Sequence, residues 1–373
     1  MRSFPAPIVC AFRAASVLAC GSSGTGAASG GGVSDAGTSG LDAGGDSSSP
    51  PQTLLDGGIP SVLTGLHIDL SQTSVSGISS GAFMAVQFGV AFSSIIEGIG
   101  VFAGGPFDCA QGSLTAAETQ CADATSAPDV TPMIAATKSL AASGAIDDTS
   151  YLASARVFLF GGADDAVVSP PVVDAAQSFF EGFLPAASIQ YESRRAGTAH
   201  TMPTLDYGGD CDSSDAPWIG DCGYDGAGTA LAQIYGPLSP AAATPTGTLT
   251  TLPQGDFVAD PASHSLDSNA YVYVPASCAS GETCRIHVAF HGCEMEASGI
   301  IGSAYYAHAG YNEWADTNHI VVLYPQLITS AANPYACWDF WGYDSAQYDT
   351  KSAPQMAMTR AMIDSLAGAS GDQ

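Results

Sequence analysis

The sequence predicts an α/β fold in which helices flank a mostly parallel central sheet. Short runs of consecutive apolar residues recur along the chain, as is typical of strands buried on both faces of such a sheet. Stretches of helical or loop character separate these runs. The chain has 373 residues, of which 46% are hydrophobic, so it is long enough to bury a large core.

The predicted elements follow one another from residue 72 to residue 366. The predicted strands are Gln72–Ser76, Gly100–Ala103, Arg156–Phe160, Ser188–Tyr191, Ile286–Phe290 and Ile320–Tyr324. The predicted helices are Ala82–Phe92, Val173–Phe183 and Pro354–Leu366. Residues 236–261 are rich in Pro and Thr and lack periodicity, so we expect a long connection there.

The N-terminal segment predicts export. Residues 1–20 combine a basic start with an apolar stretch, as a signal peptide does, and end in Val17-Leu18-Ala19-Cys20. That ending resembles the lipobox of bacterial lipoproteins, so lipidation of Cys20 and an ordinary secretory signal are both open. Residues 21–60 are mostly small or polar, which predicts a flexible tether, and residues 61–373 form one predicted domain.

The charge balance excludes two classes of partner. Nine Lys and Arg residues stand against 36 Asp and Glu residues, for a formal net charge of −27. Nucleic acid and anionic lipid would be repelled by such a surface, whereas an uncharged substrate would not. No segment after the N-terminus offers the roughly 20 apolar residues that a membrane span requires.

The cysteines predict disulfides and an oxidising compartment. Eight of the ten cysteines follow the N-terminal segment, and eight cysteines allow about 105 pairings. We expect neighbours in sequence to pair. Zinc is the competing interpretation, but no C-x2-C or Cys/His cluster has ligand spacing. The expected pairs are Cys109/Cys121, Cys211/Cys222, Cys278/Cys284 and Cys293/Cys337.

A candidate nucleophile lies in Gly77-Ile78-Ser79-Ser80-Gly81, which has the pattern G-x-S-x-G. A predicted strand precedes it and a predicted helix follows it. A serine at such a sharp turn exposes its hydroxyl, and the glycines remove side chains that would block the turn. The alternative is a turn without chemistry, since the chain has 43 glycines.

A candidate acid follows the predicted strand Arg156–Phe160. In α/β-hydrolases the acid and the base follow the nucleophile along the chain, each after a strand. We favour Asp165 over Asp164 because it lies three residues before Val168, an apolar anchor. Either aspartate is alternatively a turn residue or a helix cap.

The candidate base is His200, which lies in a Gly/Thr/Pro loop after the predicted strand Ser188–Tyr191. The alternative is a structural histidine. Among the seven histidines, only His291 has comparably suggestive surroundings.

Two backbone N–H groups are candidates for an oxyanion hole, which stabilises the negative charge of the reaction intermediate. One is that of Ser80, directly after the nucleophile. The other is that of Cys293, in a His-Gly-Cys loop after the strand Ile286–Phe290. This loop follows the other candidates instead of preceding them, so the sequence predicts a circularly permuted α/β-hydrolase. The alternative for Cys293 is a half-cystine only, and both roles are compatible.

The order of these motifs resembles the extracellular-type polyhydroxybutyrate depolymerases, in particular their permuted catalytic domain. The likeness covers about residues 70–366 and includes further motifs that are more specific than G-x-S-x-G. These are Asp221-Cys222-Gly223-Tyr224-Asp225-Gly226-Ala227-Gly228, Gly310-Tyr311-Asn312-Glu313-Trp314-Ala315-Asp316, Val321-Val322-Leu323-Tyr324-Pro325-Gln326 and Asn333-Pro334-Tyr335-Ala336-Cys337-Trp338-Asp339-Phe340-Trp341-Gly342-Tyr343.

The resemblance implies a catalytic triad and an oxyanion hole. Ser79 would be the nucleophile, Asp165 the acid and His200 the base, with Ser80 and Cys293 as oxyanion donors. No metal or organic cofactor is implied. Polymer-degrading members often add a C-terminal linker and a binding module, which this sequence lacks, so we do not expect efficient attack on crystalline polymer, and soluble oligomers, amorphous polymer and other esters stay open as substrates.

The substrate-binding candidates are Trp338 and Trp341, because a crevice for a neutral polyester should be apolar and aromatic. The alternative is that both belong to the core. The predicted function is a secreted or surface-tethered serine esterase acting on poly(3-hydroxybutyrate) or its oligomers. Alternatives are an esterase for feruloyl or acetyl groups of polysaccharide, and an inactive surface-binding protein.

Overall fold

The apolar runs of the sequence become strands of two sheets in the computed structural model, which describes residues 60–368. The predicted signal peptide, Cys20 and residues 21–59 of the predicted tether lie outside the described residues. The strands are β1 (His67–Ile78), β2 (Ile96–Phe102), β3 (Arg156–Gly162), β4 (Ile189–Arg195), β5 (Met202–Thr204), β6 (Gly209–Asp210), β7 (Ile219–Asp221), β8 (Thr248–Pro253), β9 (Asn269–Val274), β10 (Thr283–Phe290) and β11 (Ile320–Tyr324).

Helices occupy much of the chain between these strands. The α-helices are α1 (Ser80–Ala91), α2 (Leu114–Thr119), α3 (Thr131–Ser143), α4 (Pro170–Glu181), α5 (Gly226–Tyr235), α6 (Ala276–Ala279), α7 (Ala304–His308), α8 (Tyr311–Asn318) and α9 (Pro354–Leu366). Short 3-10 helices cover Ser61–Leu63, Ser93–Ile95, Thr149–Ser154, Ala186–Ser188, Gln254–Asp256 and Pro261–His264.

The larger sheet is mostly parallel, as predicted. Its eight strands lie in the order β4-β3-β2-β1-β10-β11-β9-β8, and the smaller sheet in the order β5-β7-β6. Strands β4 to β11 in this order pair in parallel, while β9 and β8 are antiparallel additions at one edge. The strand β10 lies directly beside β1, although more than 200 residues separate them in the chain.

The prediction of a long connection over residues 236–261 is wrong in part, because this segment contains β8. At the edge of the sheet β8 buries only Thr250 and Leu252 among its six residues. A strand with so few buried positions has no apolar run that distinguishes it from a loop.

Helices cover both faces of the sheet because alternate residues of each strand point to opposite sides. On β2, Ile99 approaches Gly89 of α1, whereas Gly98 approaches Ile234 of α5 on the other face. Among residues 60–368, no helix has the length and apolarity that a membrane span requires.

Four disulfides crosslink the described residues. The expected pairing of sequence neighbours is confirmed: the pairs are Cys109–Cys121, Cys211–Cys222, Cys278–Cys284 and Cys293–Cys337.

The topology gathers the candidate site residues at one edge of the sheet. Parallel strands end at the same edge, where α/β proteins usually bind ligands. Ser79 follows β1, Asp165 follows β3, His200 follows β4 and Cys293 follows β10. Four segments that are distant in sequence therefore meet at the carboxyl ends of neighbouring strands.

Candidate active site

Ser79 forms a sharp turn between β1 and α1. Its φ of 57° and ψ of −126° lie in a region that residues other than glycine seldom adopt. The turn is held on both sides, since the Ser79 N–H donates to Phe102 O at 3.0 Å and Ser79 O accepts from the Ala82 N–H at 2.9 Å.

The glycines of the motif are required by close backbone approach. A Cβ atom at Gly77 would lie 2.2 Å from Gly81 O, and one at Gly81 would lie 2.3 Å from the carbonyl oxygens of Phe290 and His291. Both distances are shorter than any tolerable contact. The spacing G-x-S-x-G therefore allows the serine turn to press against the end of β10.

Asp165 and His200 form a buried pair. His200 Nδ1 lies 2.9 Å from Asp165 Oδ2, and each residue is 6% exposed. The other carboxylate oxygen, Oδ1, accepts from the N–H groups of Val167 and Val168 at 2.9 Å each. These bonds fix the carboxylate, so the structure pairs Asp165 with His200, whereas Asp164 is exposed.

The loops that carry Asp165 and His200 are also in contact through their backbones. The Asp164 N–H donates to Thr198 O at 3.0 Å, and a Cβ atom at Gly162 would lie 2.3 Å from the same oxygen. Because Nδ1 of His200 faces the carboxylate, Nε2 is the ring nitrogen left for the nucleophile. Ser79 Oγ and His200 Nε2 form no hydrogen bond within residues 60–368; catalytic hydrogen bonds often tighten only when substrate binds.

Two candidate oxyanion donors lie beside Ser79. The Ser80 N–H belongs to the first turn of α1, where N–H groups have no intrahelical acceptor. The loop after β10 packs on Ser79, since a Cβ atom at Gly292 would lie 3.3 Å from Ser79 Cβ. The N–H of the next residue, Cys293, has no acceptor within residues 60–368.

The side chain of His291 orients the peptide that carries this second donor. His291 Nδ1 lies 2.7 Å from Gly292 O, and Nε2 accepts from the Leu327 N–H at 3.3 Å. Burial lowers the pKa of His291 to about 4, so the ring is neutral at pH 7 and donates from Nδ1. In a trans peptide the C=O and the next N–H point in opposite directions, so holding Gly292 O aims the Cys293 N–H away from it.

Trp338 lies under this loop and not in a crevice. Its side chain is 0% exposed, and its indole Nε1 donates to His291 O at 3.0 Å. A fully buried ring cannot contact substrate, so the expectation that Trp338 binds substrate is corrected: it supports the candidate oxyanion loop. Trp341 is partly exposed beside Phe340 and Tyr343, and its substrate-binding role stays a prediction.

A disulfide fixes the same loop covalently, because Cys293 pairs with Cys337, next to Trp338.

Within residues 60–368, no group of three or more His, Cys, Asp or Glu side chains is placed to hold a metal ion.

The chain resembles two curated proteins in sequence. It is 42% identical over 314 residues to a poly(3-hydroxybutyrate) depolymerase of Delftia acidovorans, a match that covers 83% of this chain and 62% of that protein. It is 37% identical over 317 residues to a polyhydroxybutyrate depolymerase of Talaromyces funiculosus, covering 79% of this chain and 89% of that protein. The chain thus spans less than two thirds of the first relative. No protein-family model matches it.

Solved structures agree with the fold. The PHB depolymerase from Penicillium funiculosum superposes with a TM-score of 0.76 at 34% identity, covering 83% of this chain and 99% of that one. A serine-to-alanine variant of a PHB depolymerase complexed with an R3HB trimer gives 0.77 at the same identity and coverage. The predicted α/β-hydrolase fold is therefore confirmed, and the chain belongs to the polyhydroxybutyrate depolymerase family.

Proposed function

We propose that this protein is a serine esterase that hydrolyses poly(3-hydroxybutyrate) or its oligomers through an acyl-enzyme. The observation that carries the proposal is the buried pair of Asp165 and His200 at the sheet edge that also holds the Ser79 turn. The relatives' names supply the substrate class, and one of their structures contains an R3HB trimer.

In the proposed mechanism His200 Nε2 removes the proton of Ser79 Oγ as this oxygen attacks the ester carbonyl. Asp165 keeps the imidazole oriented and stabilises its protonated form. The N–H groups of Ser80 and Cys293 stabilise the oxyanion of the tetrahedral intermediate.

Collapse of that intermediate breaks the ester C–O bond, and His200 returns the proton to the departing alcohol end. A water molecule then gives its proton to His200 Nε2 and attacks the acyl-enzyme. Collapse of the second tetrahedral intermediate breaks the bond between the acyl carbon and Ser79 Oγ, His200 Nε2 gives its proton to Ser79 Oγ, and the hydroxy acid leaves. The mechanism needs no metal or organic cofactor.

We infer that the protein is exported, because four disulfides form among the described residues and disulfides persist in oxidising compartments. A lipid anchor at Cys20 is the further hypothesis. Mass spectrometry of the mature N-terminus tests it, since an acylated Cys20 would carry the mass of its acyl chains.

The test of the nucleophile is Ser79→Ala. We expect turnover of a short nitrophenyl ester to fall by about 10⁶-fold, as loss of the nucleophile does in comparable sites. Ser93→Ala is the matched control, because Ser93 is another serine of low exposure and its Oγ has no hydrogen-bond partner among the described residues. Ser79→Ala activity within tenfold of wild type would exclude this serine.

Two substrates and one label separate the proposed function from a feruloyl esterase and from an inactive binding protein. Clearing of emulsified poly(3-hydroxybutyrate) without turnover of methyl ferulate supports the proposal, and the reverse supports a feruloyl esterase. A serine-directed fluorophosphonate should label the wild type at Ser79. Absence of label would indicate an inactive binding protein.

A further inference from the structure

We propose that residues 211–222, here called the clamp loop, hold His200 in its working position, and that Ser214 is a positioning residue for this base. The inference rests on the proposed function, because it assigns the clamp loop a task in the same reaction.

A disulfide closes the clamp loop, and hydrogen bonds join the loop to the chain on both sides of His200. The Cys211–Cys222 disulfide joins its two ends, with Cα atoms 4.9 Å apart. Before the base, the Ala199 N–H donates to Cys211 O at 2.9 Å; after it, the Cys222 N–H donates to Thr204 O at 3.0 Å. The disulfide thus links the two attachment points.

The middle of the clamp loop makes further backbone contacts. The Met202 N–H donates to Trp218 O at 2.8 Å, and β5 pairs in parallel with β7. A Cβ atom at Gly220 would lie 2.9 Å from Thr201 Cγ2, so the two segments are in close contact. The chain that carries the base is therefore packed directly against the clamp loop.

Ser214 makes the contact to the base residue itself. Its Oγ accepts from the His200 N–H at 3.0 Å. The loop holds Ser214 in place, because the Trp218 indole N–H donates to Ser214 O at 3.0 Å. His200 is thus fixed at two points, its ring by Asp165 and its backbone by Ser214.

Removal of the Ser214 hydroxyl would free the backbone that carries the imidazole. The His200 N–H would lose its acceptor in a residue that is only 6% exposed. A displacement of Nε2 relative to Ser79 by about 1 Å can cost about 100-fold in rate. Such a displacement affects proton transfer more than substrate binding, so kcat should change and KM should not.

The first test compares Ser214→Ala with Ser213→Ala. Ser213 is the neighbour in the same loop, but its Oγ bonds to Asp215 and not to His200. On a short nitrophenyl ester we expect Ser214→Ala to lower kcat by about 10- to 100-fold at an unchanged KM, by the same displacement argument. Ser214→Thr keeps the hydroxyl and should restore most of kcat. Equal kcat values for Ser214→Ala and Ser213→Ala would overturn the proposal.

The second test removes the disulfide that closes the clamp loop. The double variant Cys211→Ala/Cys222→Ala should lose kcat at least as strongly as Ser214→Ala. The control Cys278→Ala/Cys284→Ala removes a disulfide of shorter sequence span at the start of β10, the end of the strand away from the candidate site, and should lower Tm while retaining kcat. If both double variants lose the same fraction of kcat, the effect is general destabilisation and the proposal fails.

Amide hydrogen exchange tests the clamp without any substrate. By mass spectrometry, Ser214→Ala should exchange faster than Ser213→Ala in peptides that cover residues 199–204 and equally elsewhere. If the wild type hydrolyses no ester, the proposed function fails and the exchange rates still decide whether the clamp holds this segment. Unchanged exchange in residues 199–204 would overturn the inference even in an active enzyme.

Discussion

Ser79 holds a backbone conformation that costs about 1–3 kcal/mol for a residue other than glycine. The surrounding contacts compensate for this cost, because the N–H of Ser79 bonds to Phe102 and its carbonyl group begins α1. The turn places the Ser79 hydroxyl at the sheet edge, while contacts with β2 and α1 hold the Ser79 backbone. Strained backbone of this kind is typical of functional sites, which favours the hypothesis that Ser79 is reactive.

The contact of His291 with Gly292 O predicts a kinetic effect on a residue that touches no reacting atom. His291→Ala removes the group that orients the Gly292–Cys293 peptide. The Cys293 N–H, the second candidate oxyanion donor, should then no longer be held in the direction of the oxyanion. We expect kcat to fall by about 100-fold with KM nearly unchanged, as removal of one oxyanion donor does elsewhere. Steady-state kinetics on a short nitrophenyl ester measure this.

The control for His291→Ala is His67→Ala, at the exposed start of β1. It should retain wild-type kcat. If His291→Ala raises KM and leaves kcat intact, the residue acts on substrate binding and the orienting role is wrong.

Asp349 lies in an unfavourable environment for a carboxylate. Burial raises its pKa to about 6, and Asp108 and Asp339 add repulsion. Between these two pKa values the folded state keeps a proton on Asp349, whereas the unfolded state, with a pKa of 3.8, has released it. By linkage, the free energy of unfolding falls as the pH rises from about 4 to above 6. At pH 7 the whole destabilisation by the buried carboxylate of Asp349 is present.

Asp349→Asn should therefore stabilise the protein at neutral pH. We expect a gain of about 1–2 kcal/mol at pH 7, less than the pKa shift alone implies because the side chain is partly exposed. Denaturant titrations of variant and wild type should converge near pH 4. Asp123→Asn, an exposed carboxylate with the same charge change, is the control. A gain that persists unchanged at pH 4 would exclude titration of Asp349 as its cause.

At the scale of elements, the site depends on how closely α1 approaches β10. The approach is possible only because Gly81 has no side chain, since a Cβ atom there would lie 2.3 Å from two carbonyl oxygens. Gly81→Ala should therefore push the helix away from the strand and lower the free energy of unfolding by about 3 kcal/mol or more.

Gly209→Ala is the matched control for this variant, because a Cβ atom at Gly209 meets nothing within 4 Å. Denaturant unfolding of the two variants gives the comparison, and esterase activity should follow stability. A Gly81→Ala protein that is as stable as Gly209→Ala would show that the contact with β10 is not needed.

The elements that the sequence predicts well are those buried on both faces. The predicted strands Arg156–Phe160 and Ile320–Tyr324 are apolar from Val157 and from Ile320 onward, and the observed strands agree with them within two residues. The edge strand β8 escapes detection because only Thr250 and Leu252 are buried. A six-residue strand that is buried on one side only shows too weak an apolar pattern to be recognised in the sequence.

The candidate site also contains some residues that the sequence predicts and others that it does not. Ser79, Asp165 and His200 are predictable because each follows a strand and their chain order matches a known arrangement. Ser214 is not, because a serine in a polar loop has no periodicity, and its contact with His200 depends on how two loops fold together. The substrate-binding prediction for Trp338 is wrong because the sequence does not show whether an aromatic side chain faces a crevice or the core.

At the scale of the whole molecule, the excess of negative charge is the dominant electrostatic feature. The formal charge is −27, with nine basic residues for 36 carboxylates, and four of the seven basic residues within residues 60–368 form ion pairs: Arg194–Asp174, Arg195–Glu192, Lys351–Asp147 and Arg360–Asp364. Most carboxylates therefore have no basic partner. Repulsion among them does not affect the approach of an uncharged polyester, but it opposes the compact state.

This repulsion predicts a salt dependence opposite to that of proteins held by surface ion pairs. Added salt shortens the Debye length from about 30 Å at 0.01 M to about 10 Å at 0.1 M, which screens the repulsion. Tm at pH 7 should therefore rise by several degrees between 10 mM and 300 mM NaCl. Near pH 4.1, the isoelectric point of the sequence, the same salt step should change Tm little because the net charge is close to zero. A Tm at pH 7 that falls with salt would mean that the paired charges, and not the unpaired ones, control the stability of the folded protein.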